Sequence, residues 1–111
     1  MKKINSDFIR LSDILNSIDE IEIFAKDGFE DRKTVMAISY LIAIIGEAAN
    51  KLSSEVFEKN KEIPWKQIIG MRHRIIHDYG NVDVQNLKQA VTNDLPFLKP
   101  QIAKILKEIN S

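Results

Sequence analysis

Three observations predict an all-α protein. The 111-residue chain has only four glycines and three prolines, and the β-turn-β punctuation of a sheet protein is missing. Its apolar residues recur at steps of three and four, the spacing of helices that bury one face. No repeat, low-complexity tract or linker interrupts the pattern, so one domain over residues 1–111 is expected. The spacing predicts an up-and-down bundle of four long helices plus a short one.

The first helix is expected over about 6–26, where Phe8, Leu11, Leu15, Ile18, Ile21 and Phe24 step by three or four. Ser6 or Asp7 would cap its start, and Gly28 would stop it. The second, roughly 30–52, is the most regular: Val35, Ile38, Ile42, Ile45, Ala49 and Leu52 step 3-4-3-4-3. Met36, Leu41, Ala43, Ile44 and Ala48 add a second apolar flank. A helix apolar over so much of its circumference is central, or faces its own domain on one side and a partner on the other; this argues for a homodimer. "SSEVFEKNKEIPW" reads as a short capped helix and then a polar break. Pro64 suits the first turn of the next helix, where its missing N–H is harmless, and that helix is expected to run to Tyr79. "GNVD" ends it and caps the following one at Asp83. Val84, Leu87, Val91, Leu95, Leu98, Ile102, Ile105 and Ile109 continue in helical register. Pro96 and Pro100 lie inside that stretch, so it should kink or divide near Asn93 and Asp94.

Composition narrows the function classes. Sixteen basic and sixteen acidic residues give zero formal net charge, so any nucleic-acid contact must be local rather than the work of a global positive field. The absence of cysteine excludes disulfides and thiolate metal sites. "MKKINSDFIRLSDIL" alternates charge with apolar residues and is no secretory signal. The longest nearly uncharged stretch, "TVMAISYLIAIIGEAAN", reaches Glu47 after thirteen residues, too short to span a bilayer. A soluble cytoplasmic protein without a membrane partner is expected.

Residues 70–80, "GMRHRIIHDYG", pack two arginines, two histidines, an aspartate and a tyrosine into one short stretch. Three readings compete. Basic residues in a last turn complement the helix dipole, and Gly80 would end the helix. Against this, Ile63 to His77 contains Lys66, Arg72 and Arg74 and no acid, a local charge suited to an anion. His73 and His77 are four apart, a spacing that zinc helices use; these are the only histidines, and Asp78 points elsewhere on a helix, so no metal is expected. The third reading pairs Arg72 with His77. On a helix five residues turn about 140°, so the two would meet through a bent arginine or across a dimer axis. Guanidinium holds phosphate and stabilises negative charge, and imidazole takes or gives a proton near neutrality. Together they are a minimal kit for cutting a phosphodiester without metal.

"RKTVMAISYLIAIIGEAANKLS", "IPWKQIIGMRHRIIHDYGNVD" and "VTNDLPFLKPQI" resemble the HepT-like group of HEPN proteins, from about residue 4 to residue 109. The resemblance implies a HEPN-type bundle that dimerises with an R-x4-6-H motif near the interface, and a metal-independent endoribonuclease needing no cofactor. Arg72 and His77 match the motif arginine and histidine, and Tyr79 the tyrosine of its extended form, R-x4-H-x-Y. Relatives are usually encoded beside a minimal nucleotidyltransferase antitoxin, in a type II-like or type VII-like toxin–antitoxin pair, and that partner silences the toxin by moving AMP onto the tyrosine. Asparagine is common in relatives where His73 stands, so no role transfers to His73.

The reaction expected from that resemblance is attack of an RNA 2′-hydroxyl on the adjacent phosphate, which makes RNA and not DNA the substrate. His77 would move a proton and Arg72 would stabilise the growing charge. Arg74 would bind RNA backbone, or sit solvated or paired with Asp78 or Glu47. Asp78 would orient a histidine or face solvent. Glu47 interrupts "LIAIIGEAA", and a buried carboxylate needs a partner: Arg32 or Arg72, or else a water-filled notch at a dimer interface. Gly46 beside it would permit close helix approach. Trp65 would stack on a base or, more simply, fill the core. The competing class of function is a non-catalytic subunit that presents substrate to the nucleotidyltransferase.

Overall fold

The computed structural model describes residues 2–110, with side chains from Ser6 onward. Helix α1 (Lys2–Ala25) starts earlier than the sequence predicts. Asp7 is inside it rather than at its cap, and is only 6% exposed. Its carboxylate instead accepts hydrogen bonds from the backbone N–H of Ser53 at 2.9 Å and from the Ser53 hydroxyl at 2.6 Å. It thereby ties α1 to the start of α3 (Ser54–Lys59), and the burial of its charge is offset by two donors. Gly28 ends the first turn-out as expected: its φ is 86°, and its N–H bonds to the Ala25 carbonyl at 3.0 Å.

Helix α2 (Arg32–Asn50) buries the predicted seam, Val35, Ile38, Ile42, Ile45 and Ala49, with Leu52 just beyond its end. The second flank divides. Leu41 and Ala48 are buried, while Met36 is 53% exposed and Tyr40 lies open beside it. Gly46 does permit close approach: a Cβ there would stand 3.1 Å from the Ile69 carbonyl oxygen.

The single helix expected from Pro64 to Tyr79 is replaced by α4 (Trp65–Ile69) and α5 (Met71–Ile75), followed by a tight loop. Gly70 separates the two helices, with φ −87° and ψ 0°, and its N–H still bonds to the Lys66 carbonyl at 3.0 Å. Ile76 and His77 are extended. Ile76 forms one antiparallel bridge with Val82, the His77 N–H bonds to the Asn81 carbonyl at 2.7 Å, and the Asp83 N–H bonds to Ile75 at 2.7 Å. The turn closes with the Asn81 N–H on the Asp78 carbonyl. Its two central residues, Tyr79 and Gly80, have φ of 59° and 73°, the sign pattern of a type I′ turn. The hairpin-like closure, rather than a longer helix, satisfies the backbone here.

Asp83 caps α6 (Val84–Gln89) as expected, accepting from the Asn86 N–H at 3.0 Å. The predicted division near Asn93 and Asp94 takes the form of a π turn over Ala90–Asp94, followed by α7 (Leu95–Asn110). Pro96 has no N–H to return to Thr92, and the Leu95 N–H reaches back five residues to Ala90. The wider turn is how the chain absorbs that missing donor.

α1, α2, α7 and the short segments close around Leu11, Ile14, Ile18, Ile38, Ile42, Ile45, Met71, Ile75, Leu87 and Ile102. Lys99 of α7 bridges to α1, 3.0 Å from Asp19 and 2.9 Å from Glu22. The fold is thus all-α among the described residues, but with α1, α2 and a divided α6–α7 as its long elements rather than four uninterrupted helices. No helix is long and apolar enough to cross a membrane.

Candidate functional site

The α5–loop junction forms an open concavity of about 810 Å³ lined by Arg72, His73, Ile76, His77, Asp78 and Tyr79. Arg72 and His77 therefore share one depression, but not by the route a continuous helix would provide. Arg72 stands on α5, whereas His77 follows extended Ile76, so the helical angle between them does not apply. The i, i+4 pairing of His73 and His77 on one helix face fails for the same reason. Among the described residues no three histidine, aspartate or glutamate side chains gather as a metal-ligand cluster.

His77 is held from behind. Its Nε2 lies 3.3 Å from the Arg74 carbonyl oxygen, so this nitrogen is the donor there and Nδ1 is left to accept in the neutral ring. The same carbonyl accepts the Asn86 side-chain amide at 3.1 Å, and Asn86 is fixed in turn by Asp83 at 3.0 Å. The helix cap of α6 and the histidine are thus one network. Sequence reasoning missed Asn86, whose only local signal was its place three residues after the capping Asp83.

Arg72 is exposed and makes no ion pair among the described residues, so its guanidinium is available to an anion. Tyr79, at the tip of the turn, is fully exposed. Asp78 lines the concavity and is exposed too, with no side-chain hydrogen bond to either histidine.

Other predicted residues lie elsewhere. Arg74 does not line the concavity: its Nη1 donates to the Gln67 carbonyl at 3.1 Å, and its Nη2 is 4.0 Å from Asp94, not from Asp78 or Glu47. Glu47 is exposed rather than buried and pairs with neither Arg72 nor Arg32 among the described residues. The solvent-facing strip of α2 carries it, so the apolar run around it never enclosed it. Trp65 is a core residue: it is buried, donates from Nε1 to the Asn60 carbonyl at 3.0 Å, and meets the Phe57 ring edge-on at 5.3 Å.

Fold and site together define an all-α domain that presents an arginine, an imidazole and a tyrosine hydroxyl around one open concavity. The family model for HepT-like ribonucleases matches residues 14–105. "Probable ribonuclease HepT" from Thermococcus cleftensis is 37% identical over 96% of this chain and all of its own length. A Methanocaldococcus jannaschii protein that carries the name of a putative RNase is 35% identical over 89% of this chain and 90% of its own. A second protein from that organism, named for a gamma-glutamylcyclotransferase and a putative RNase, is 39% identical over 92% of this chain and 48% of its own. No solved structure matches the chain significantly. The chain belongs to the HepT-like ribonuclease family.

Proposed function

We propose that this protein is the toxin of a HEPN and minimal-nucleotidyltransferase pair, a metal-independent endoribonuclease that works as a homodimer in the cytoplasm. The observation that carries this reading is the shared concavity of Arg72 and His77, with the imidazole braced by the Arg74 carbonyl. The 2′-hydroxyl attacks the adjacent phosphorus and the bond to the 5′-oxygen breaks, leaving a 2′,3′-cyclic phosphate and a 5′-hydroxyl. His77 moves one of the two protons, a contribution of about 10² to 10⁴-fold. Arg72 stabilises the negative charge that builds on the phosphate. One motif histidine per chain is short for both proton roles, and His77 of a second copy supplies the other. The exposed Met36 and Tyr40 on α2 support a covered face of this kind.

Tyr79 is the proposed switch. Attack of its phenolic oxygen on the α-phosphorus of ATP releases pyrophosphate and leaves AMP on the ring. Full exposure at a turn tip suits that attack, and the added anion would sit over the concavity that receives RNA phosphate.

Total RNA incubated in EDTA with unmodified protein, beside His77→Ala, tests the reading. Cyclic-phosphate ends from the wild type alone support it. Absence of cleavage by folded, AMP-free protein overturns it in favour of a non-catalytic subunit that presents substrate to the nucleotidyltransferase.

A further inference from the structure

A second pocket, of about 380 Å³, opens on a different face of α5, and its size is that of a small-ligand site. Met71 and Leu98, both buried, line its apolar interior, and Phe97 stands at it with its side chain 58% exposed. Polar groups converge on the same space. Arg74 lines it from α5, and Asn93 and Asp94 line it from the π turn, a kind of irregularity that recurs at functional sites. Arg74 Nη2 and Asp94 form a long ion pair at 4.0 Å, outside hydrogen-bond range. Arg74 Nη1 donates to the Gln67 carbonyl at 3.1 Å, so the remaining guanidinium N–H groups and the Asp94 oxygens keep hydrogen-bonding capacity for a ligand. Arg74 also connects this pocket to the motif histidine, its carbonyl oxygen standing 3.3 Å from His77 Nε2.

We propose that this pocket receives an unpaired base of the RNA beside the cleaved phosphate, with guanine preferred; the placement rests on the ribonuclease reading above. Exposed aromatic rings are the platforms on which proteins stack single-stranded bases, and Phe97 offers one at the rim of this pocket. Charge selects among the bases. Guanine offers two adjacent donors, N1–H and N2–H, to the paired oxygens of Asp94. It also offers acceptors at O6 and N7 to the Arg74 guanidinium. Adenine, cytosine and uracil lack that pair of adjacent donors. The π turn thus serves specificity as well as the accommodation of Pro96.

The test is titration of 5′-GMP, AMP, CMP, UMP and inorganic phosphate into ¹⁵N-labelled His77→Ala, read on the Asn93 side-chain amide and the Arg74 guanidinium signals. GMP is expected to shift both and to bind several-fold tighter than the other nucleotides, with phosphate leaving them in place. Phe97→Ala should weaken GMP binding by about tenfold, in the range of one lost stacking contact. Asp94→Asn, which keeps volume and fold, should abolish the guanine preference while retaining base binding. Failure of all four nucleotides to shift these signals overturns the proposal, as does an equal shift with phosphate alone. Silent nucleotides together with dimers that dissociate in Phe97→Ala would assign the pocket to a protein interface instead. Because binding is read on an inactive variant, the two readings separate. RNA cleavage without GMP binding sinks only the pocket, and GMP binding without cleavage upholds the base site while sinking the nuclease.

Discussion

Nε2 of His77 lies 3.3 Å from the carbonyl oxygen of Arg74. That contact leaves Nδ1 as the nitrogen of the neutral ring that can accept, because the nitrogen that donates backward cannot also accept a proton.

Asn86 holds that carbonyl from the other side, so its removal should loosen the ring without removing it. Asn86→Ala is expected to lower kcat for RNA cleavage by about tenfold, a part of the 10² to 10⁴-fold that a general acid–base group supplies, with KM little changed. Steady-state kinetics on a short RNA checks this. An equal rise in KM would place Asn86 in substrate binding instead.

Tyr79 occupies a backbone conformation, φ 59° and ψ 28°, that favours glycine or asparagine over an aromatic residue. Tyr79→Gly should therefore raise stability in urea unfolding by about 0.5–1 kcal/mol, the relief of a left-handed side chain less the added freedom of the unfolded chain. Tyr79→Phe should leave stability unchanged. Both variants should resist AMP transfer, seen as an unaltered mass after incubation with ATP and the nucleotidyltransferase.

Gly46→Ala brings a methyl group to 3.1 Å from the Ile69 carbonyl, a backbone atom with little freedom to withdraw. The better helix propensity of alanine offsets only part of that clash. A net loss of about 1 kcal/mol is expected in chemical unfolding. A gain would show that α4 moves easily on α2.

Lys99 carries the one pH prediction. Its hydrogen bonds to Glu22 and then Asp19 hold its pKa above the ordinary 10.5. A raised pKa in the folded state means that the stabilisation is complete below the unfolded value and is lost as pH rises through the folded one. Wild type should therefore exceed Lys99→Gln modestly in urea midpoint at pH 7 to 9, with the gap closing above 10.5. A gap independent of pH would assign the effect to packing of the lysine stem.

Helix class, the α2 seam, the Gly28 stop, the Asp83 cap and the break near Asn93 were all legible, because each rests on local spacing or on one residue with fixed conformational demands. Residues 64–79 were not. Their apolar pattern suits a helix, and what ends α5 is a long-range closure, Ile76 on Val82 and Asp83 on Ile75, that periodicity cannot express. Asp7 shows the same limit. Its residue type advertised a cap, but the donor it serves, Ser53, is 46 positions away. Glu47 was misjudged because its sequence neighbours are buried, while its own helical angle faces outward beside Tyr40. Arg72, His77 and Tyr79 could be picked out by composition and resemblance, whereas the Arg74–Asn86 brace behind His77 needs coordinates.

The π turn also keeps two helices in phase. Leu87, Ala90, Leu95, Leu98, Ile102 and Ile105 are all buried, yet Ala90 and Leu95 are five apart, a step that would swing a regular helix about 140° off the core. The extra residue takes up that rotation. Deleting one position between Ala90 and Asp94 would leave Ala90 and Leu95 four apart, a step that a regular helix keeps on one face. At the present length it is the wide turn alone that keeps the α7 seam on the core, and an ideal coil over the same residues would turn that seam toward water.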